Sequence, residues 1–443
     1  MSIVLSNRTY RHLFLAQVVA LLGTGMLTVA LGLLAYQLAG AQAGSVLGTA
    51  LAIKMIAYVL IAPVVGAYAN RLPRRAFLVT MDLVRAGVAL SLPFVTQVWE
   101  IYVLIFMLQS ASAAFTPTFQ ATIPDVLPDE KDYTRALSLS RMAYDMENLL
   151  SPMLTAALLT VISFHWLFGG TVVGFICSAA LVVSVRLPRA GGSATTGGIF
   201  TKTFRGISIY LRTPRLRGLL GLNLAAAAAS SMVIVNTVVY VQARLGRPAS
   251  DVPLGLAAFG FGSMLMALVL PKLLESRADR PVMLLGAAVM TFGLVVGAIV
   301  AAVGGPYEWP AFLLTWLVIG LGYSTTLTPS GRLLKRSAHA DDRPAVFAAQ
   351  FSLSHVCWLI AYPIAGTLGS LLGMPITFVV LAIVAAAGLG AAALSWPSED
   401  PDALEHPHDP DAARGHLVDG EQATPGRHRH VFIIDDQHPK WPN

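Results

Sequence analysis

Charge is scarce in this chain and cysteine nearly absent. Only 12% of the 443 residues are Asp, Glu, Lys or Arg, while 55% are hydrophobic. An ordinary soluble domain carries about 25% charged residues. That shortfall excludes a water-solvated globule and makes the bilayer the solvent. The two cysteines, Cys177 and Cys357, both sit inside apolar stretches. This excludes a disulfide framework and a cysteine-rich metal knot. No hydrolase elbow and no dinucleotide fingerprint is present. The run Gly197-Gly198-Ile199-Phe200-Thr201-Lys202-Thr203 is a decoy for a phosphate loop: it lacks the glycine before the lysine and follows no strand. The chain is therefore expected to be no enzyme, to hold no cofactor and to draw its energy from an ion gradient.

What the chain has instead is twelve long apolar runs, near 12–37, 45–69, 76–97, 101–124, 134–163, 166–186, 218–242, 252–272, 281–303, 311–331, 344–369 and 375–396. A helix needs roughly 20 such residues to cross the hydrocarbon. The first run follows Arg8 and Arg11 and exceeds the length of a secretory core, so it reads as a retained helix. A net charge of +6 could signal nucleic acid, but the cations are spread over short loops, where they encode topology. With the N-terminus inside, inner loops and span ends before the last helix hold 21 Lys or Arg, and outer loops hold only Arg244 and Arg247. Both termini are then cytoplasmic, in a bacterial inner membrane. No nucleic-acid partner is expected.

The runs fall into two halves, which predicts an all-α membrane protein of two pseudo-symmetric six-helix bundles, residues 1–186 and 218–396. Residues 187–217, with Gly191-Gly192 and Gly197-Gly198, read as a flexible cytoplasmic linker. Thr116-Pro117 in the fourth span matches Thr328-Pro329 in the tenth, and each proline is followed twelve residues on by an acidic pair, Asp129-Glu130 and Asp341-Asp342. Ser138-Leu139-Ser140 likewise matches Ser352-Leu353-Ser354. Internal repeats of this kind mark transporters, although greasy helices also resemble one another by chance. After Trp396 the composition changes. The 46 residues from Ser398 hold ten of the 24 acids and six of the ten histidines, so residues 397–443 are expected to be disordered.

Between the second and third runs stands Gly66-Ala67-Tyr68-Ala69-Asn70-Arg71-Leu72-Pro73-Arg74-Arg75. It resembles the Gly-x-x-x-Asp-Arg-x-Gly-Arg-Arg signature of the major facilitator superfamily, with Asn70 in place of the acid and Pro73 in place of the second glycine. A plain positive-inside loop is the alternative. Asp279-Arg280 echoes the motif in the second half and keeps the acid. Together with Phe115-Thr116-Pro117 and Ile123-Pro124, the chain resembles the drug and siderophore efflux branch over residues 8–396. The resemblance implies a secondary exporter with a gate built on Gly66, Asn70, Arg71, Arg74, Arg75, Asp279 and Arg280. The ending His428-Arg429-His430-Val431-Phe432-Ile433-Ile434-Asp435-Asp436-Gln437-His438 is similar to tails of nickel-resistance exporters in that branch.

A charge at a helix centre costs about 2.5–3.5 kcal/mol to insert, so such residues are rare and mark function or pairing. Lys54, Asp145, Glu147 and His355 lie at similar depth. Arg141 and Asp145 are four apart and can pair along one face, which leaves Glu147 as the first choice for a proton-carrying acid beside Lys54. A static ion pair from Lys54 to either acid is the alternative. Asp82 and Arg85 read as a structural pair nearer the gate. His355 could bind a metal or titrate, or simply hydrogen-bond within its helix. In the tail, His406, His408, His428, His430 and His438 have spacing that permits chelation, or they are a solvated polar segment.

These residues point to a monomeric exporter in the lipid bilayer that exchanges protons for cargo. A divalent metal such as nickel is the first expectation for that cargo. Drugs or siderophore-like organic compounds are the second. A non-transporting receptor or metal sensor is the reading from another class.

Overall fold

A computed structural model of the chain describes residues 2–68, 73–129, 132–133, 135–136, 139–140, 143, 147, 151, 154–155, 157–187, 199–339, 342–400, 403–407, 421–424, 427–434 and 441. Ten stretches are long and apolar enough to cross a membrane, and the first, Arg8–Ile61, contains two helices. The first four spans are Arg8–Ala39, Ala43–Tyr68, Arg74–Ser91 and Val98–Val126. The sixth to ninth are His165–Val183, Pro214–Val239, Val252–Ser276 and Asp279–Val303. The last three are Glu308–Leu327, Arg343–Leu371 and Met374–Ser395. The fifth span is described only at scattered helical residues, Glu147 and Ser151 among them.

Chain reversals follow local chemistry. Gly40 ends the first helix and Gly304 the ninth, both at positive φ, where a glycine carries no Cβ penalty. The fourth helix starts with Glu100 reaching back, its Oε2 accepting from the backbone N–H groups of Thr96 and Gln97 at 2.8 and 2.9 Å. The two repeat prolines behave differently. The fourth helix runs on past Pro117, whereas the tenth stops at Leu327 and a separate short helix, Ser330–Arg336, begins after Pro329.

Packing repeats between the halves. The first span packs on the sixth, the second on the fourth, and the third on both the fourth and the sixth. In the second half the seventh packs on the twelfth, the eighth on the tenth, and the ninth on both the tenth and the twelfth. Lipid supplies no hydrophobic drive between helices, so these crossings depend on small residues and close backbone contact. A Cβ on Gly262 would lie 2.2 Å from the Leu317 carbonyl oxygen, and one on Gly221 would lie 2.6 Å from that of Gly388. Thr171 Oγ1 adds a hydrogen bond to the Gly23 carbonyl at 2.8 Å where the sixth span meets the first.

The halves meet where the second span crosses the eleventh, at the end of the bundle away from the start of the first helix. There a Cβ on Gly48 would lie 2.6 Å from the Tyr362 carbonyl, and one on Gly366 would lie 2.3 Å from that of Gly44. Asn236 of the seventh span joins this crossing, its Nδ2 donating to the Ala365 carbonyl at 3.0 Å.

Two expectations are corrected. The linker is not flexible throughout, because Ile199–Arg212 forms a helix docked on the eleventh span. Arg205 pairs with Asp342 through Nε at 2.7 Å, Tyr210 donates to Gln350 Oε1 at 2.5 Å, and Gly206 sits tight against Ala345. Burial, with Cys357 nearby as the smaller cause, pushes the Tyr210 hydroxyl well above its ordinary range, so it stays a donor. The expectation of a disordered tail also fails over described stretches. Strands β1 (Ala403–Pro407), β2 (Glu421–Thr424) and β3 (Arg427–Val431) form an antiparallel sheet in the order β1-β3-β2. Behind it Phe432, Ile433 and Ile434 are buried. That apolar triplet, hidden in a polar composition, gives the tail a surface to bury.

Gly366→Ala should force the second and eleventh spans apart and destabilise the fold by about 1–3 kcal/mol, lowering the thermal unfolding midpoint in detergent. Gly87→Ala, with open space around it, should leave the midpoint unchanged or raise it slightly. Equal midpoints for the two variants would contradict the tight crossing.

Candidate substrate pathway and gate

A cavity of about 100 Å³ lies between the halves. Its walls come from the first span (Thr28, Val29, Gly32), the second (Leu47), the fifth (Glu147, Ser151), the seventh (Val233, Ile234, Thr237, Val238) and the eighth (Leu256, Phe259). Among the described residues of this lining Glu147 is the one charged group. The first and fifth spans meet closely beside it, since a Cβ on Gly25 would lie 2.1 Å from Ser151 Oγ. That Ser151 hydroxyl is buried and has no hydrogen-bond partner among the described residues. Pockets for small molecules usually hold roughly 300–1,000 Å³, so this space suits a few waters, and larger cargo requires the halves to separate.

Lys54, expected near the same depth, interacts electrostatically with Glu147 and also with His355. These electrostatic contacts connect the second, fifth and eleventh spans. His355 Nδ1 donates to the Phe351 carbonyl at 2.6 Å, which fixes the tautomer of the neutral ring and leaves Nε2 free to accept. The Tyr58 ring stacks on the imidazole at 5.5 Å between centroids, and the Phe351 ring packs on it at 4.0 Å. Tyr58 belongs to the first half and His355 to the second, so this stack bridges the two. Arg141 and Asp145, the other proposed members of the layer, lie outside the described residues.

Asp82 and Arg85 form a buried ion pair within the first half. Ser178 Oγ donates to Asp82 Oδ2 at 2.8 Å, and the Arg85 guanidinium lies 4.3 and 4.5 Å from the ring centres of Phe115 and Phe175. Third, fourth and sixth spans are thereby tied together. The outlying arginines are paired as well: Arg244 meets Glu308, and Arg247 Nε lies 2.6 Å from Asp251 Oδ2.

At the end where the first helix starts, Arg74 pairs with Asp125 and Arg75 donates to the Val183 carbonyl. Asn70 and Arg71 lie outside the described residues, as does the surrounding of Gly66. In the second half Asp279 is almost fully buried and accepts from Arg332 Nε at 3.0 Å, with Arg336 Nη1 at 3.5 Å. Arg280 donates to the Trp396 and Ala393 carbonyls at 2.8 and 3.0 Å. Each half thus carries an acid–arginine lock at the same end of the bundle.

The sequence matches the Major Facilitator Superfamily over residues 13–286 and, in a second overlapping match, over 219–425. The chain belongs to that superfamily. It is 22% identical over 329 residues to the uncharacterized MFS-type transporter YfiS of Bacillus subtilis (strain 168), covering 73% of this chain and 78% of that protein. It is 24% identical over 155 residues to macrolide efflux protein A of Enterococcus faecalis, covering 33% of this chain and 48% of the relative. Among solved structures, the nucleoside transporter NupG aligns with a TM-score of 0.67 at 12% identity over 88% of this chain and 100% of that one. The D-xylose-proton symporter aligns with a TM-score of 0.63 at 16% identity, over 89% and 97%. At these identities the structures speak for the fold alone. Membership makes this MFS protein a multi-pass membrane transporter and sets the receptor reading aside.

Several residues of this MFS site were not legible in the sequence. Tyr58 and Phe351 sit four residues from Lys54 and His355, a helical spacing that could have flagged them. Ser151 is likewise one turn from Glu147. Asp125, Arg332 and Arg336 carried no signal, because their partners come from distant segments. The tail histidines His408 and His438 lie outside the described residues. Antiparallel register sets His406 opposite His428, with His430 two positions on, so the backbone places those three on one face of the sheet. No group of three metal-ligating side chains occurs among the described residues.

Asp82→Asn leaves the Arg85 charge buried and should cost about 3–5 kcal/mol, whereas Asp82→Leu with Arg85→Met should recover much of the loss. Thermal unfolding of detergent-purified protein checks this, and parental stability in the single variant would remove the pair from the framework of the first half.

Proposed function

We propose that this MFS transporter is a proton-coupled exporter of lipophilic organic amines in a bacterial plasma membrane, with both termini cytoplasmic. The observation that carries this reading is the inter-half cavity, whose largely apolar walls hold Glu147 as the one charge among the described residues. An ionised carboxylate there attracts either a proton or an organic cation but not both, and Lys54 is its electrostatic partner within the protein. Competition of this kind couples proton entry to cargo release without any covalent chemistry. The macrolide efflux relatives support the export direction. One copy of the chain encloses the cavity, so a monomer suffices.

Export of a divalent metal such as nickel is the second reading. It has the shared sheet face of His406, His428 and His430 behind it. The cavity favours the organic reading, because one carboxylate among valines, leucines and a phenylalanine is a poor ligand set for a transition metal.

Cells expressing the protein should tolerate more erythromycin or ethidium than cells without it, and proteoliposomes should move ethidium when a proton gradient is imposed. Glu147→Gln should weaken apparent ethidium affinity by about tenfold or more, the loss expected for a charge-assisted contact. If nickel tolerance rises instead, and falls with His428→Ala plus His430→Ala, the metal reading wins and the amine assignment is overturned.

A further inference from the structure

The arginine lock of the second half does not end with the helices. Arg336 Nη1 faces Asp279, while its Nη2 donates to Asp400 Oδ2 at 2.8 Å and to the Asp400 carbonyl at 3.0 Å. Trp396 Nε1 donates to the same Asp400 oxygen at 3.0 Å, and Arg215 Nε lies 3.7 Å from the other. Asp400 is thus a tail carboxylate inserted among the starts of the seventh and ninth spans, the Ser330–Arg336 helix and the end of the twelfth span. Residues beyond the sheet lie against the same region. Phe432 and Ile434 are 2% and 3% exposed, inside the main apolar core. Trp441 meets Phe432 edge-on at 5.1 Å and lies 5.1 Å from the Arg215 guanidinium.

We propose that the tail is an intramolecular clamp, docked through Asp400, Phe432, Ile434 and Trp441 on the base of the second half, that restrains opening between the halves at that end. Arg215 connects this docking to the linker. It sits in the first turn of the seventh span, three residues after the linker helix ends at Arg212, and that helix is the chain's connection between the bundles. The linker helix is itself fastened to the eleventh span through Arg205, Gly206 and Tyr210. A docked tail therefore fixes the point at which the linker enters the second half. Releasing the tail frees Arg336 and Arg215 from Asp400 and gives the linker junction room to shift.

The test uses the full-length chain with Cys177 and Cys357 replaced, and spin labels at Arg135→Cys and His339→Cys to report separation of the halves at the clamped end. Phe432→Ala with Ile434→Ala should speed trypsin cleavage within the tail by about tenfold or more, since two buried anchors are lost. The same variant should broaden the label-to-label distances toward a wider population. Asp400→Asn, which leaves Asp279 paired with Arg332 and Arg336, should shift both readouts in the same direction by less, and Phe432→Leu should restore parental behaviour. Faster cleavage with unchanged distances would mean that the tail packs without restraining the halves. Equal cleavage of parent and double variant would mean that it is not docked. Either result overturns the clamp.

Discussion

A charge inside hydrocarbon has no water to turn to, and the arrangement of this transporter follows from where each such charge finds its partner. Asp82 is satisfied inside the first half by Arg85 and Ser178, with two aromatic rings covering the guanidinium. Asp279 is satisfied inside the second half by Arg332 and Arg336. Those pairs make each bundle a rigid unit, since losing one partner strands the other. Lys54, Glu147 and His355 differ, because their electrostatic layer is shared between the bundles. In the proposed transport cycle a change of proton or cation there alters an interaction between the halves, while the pairs within each half stay intact.

The contact between the halves suits repeated opening. At the crossing of the second and eleventh spans, backbones touch over Gly44, Gly48 and Gly366, and the nearby polar group is Asn236 of the seventh span. Dispersion and weak Cα–H contacts of this kind are individually small. The crossing is close-packed, and among the described residues no ion pair spans it. Within the halves, by contrast, glycine crossings are reinforced by ion pairs and threonine hydrogen bonds such as that from Thr171 to Gly23. The two sets of contacts are therefore unequal in strength, as the proposed separation of the halves requires.

The twelve apolar runs were legible because the bilayer imposes length and composition on any helix that crosses it, and the described helices fall within a few residues of the expected boundaries. Lys54, Glu147 and His355 stood out for the same reason, as charges or imidazole in segments that otherwise exclude them. The docked linker helix was hidden because its stabilising partners, Asp342, Ala345 and Gln350, lie more than 130 residues away. The buried part of the tail was hidden by averaging. Three apolar residues, Phe432 to Ile434, weigh little in a polar stretch yet decide whether it docks.

The amino-acid order by itself determined that this chain lives in lipid, that its helices come in two related sets, and which few ionisable groups lie at mid-membrane depth. Periodicity and composition are local properties, and the solvent reads them segment by segment. Which charges meet was decided only in three dimensions: Asp125 with Arg74, Asp400 with Arg336, Tyr58 against His355. Those pairings depend on how separate helices cross, and helix crossing is set by the shapes of packed surfaces that no single segment carries.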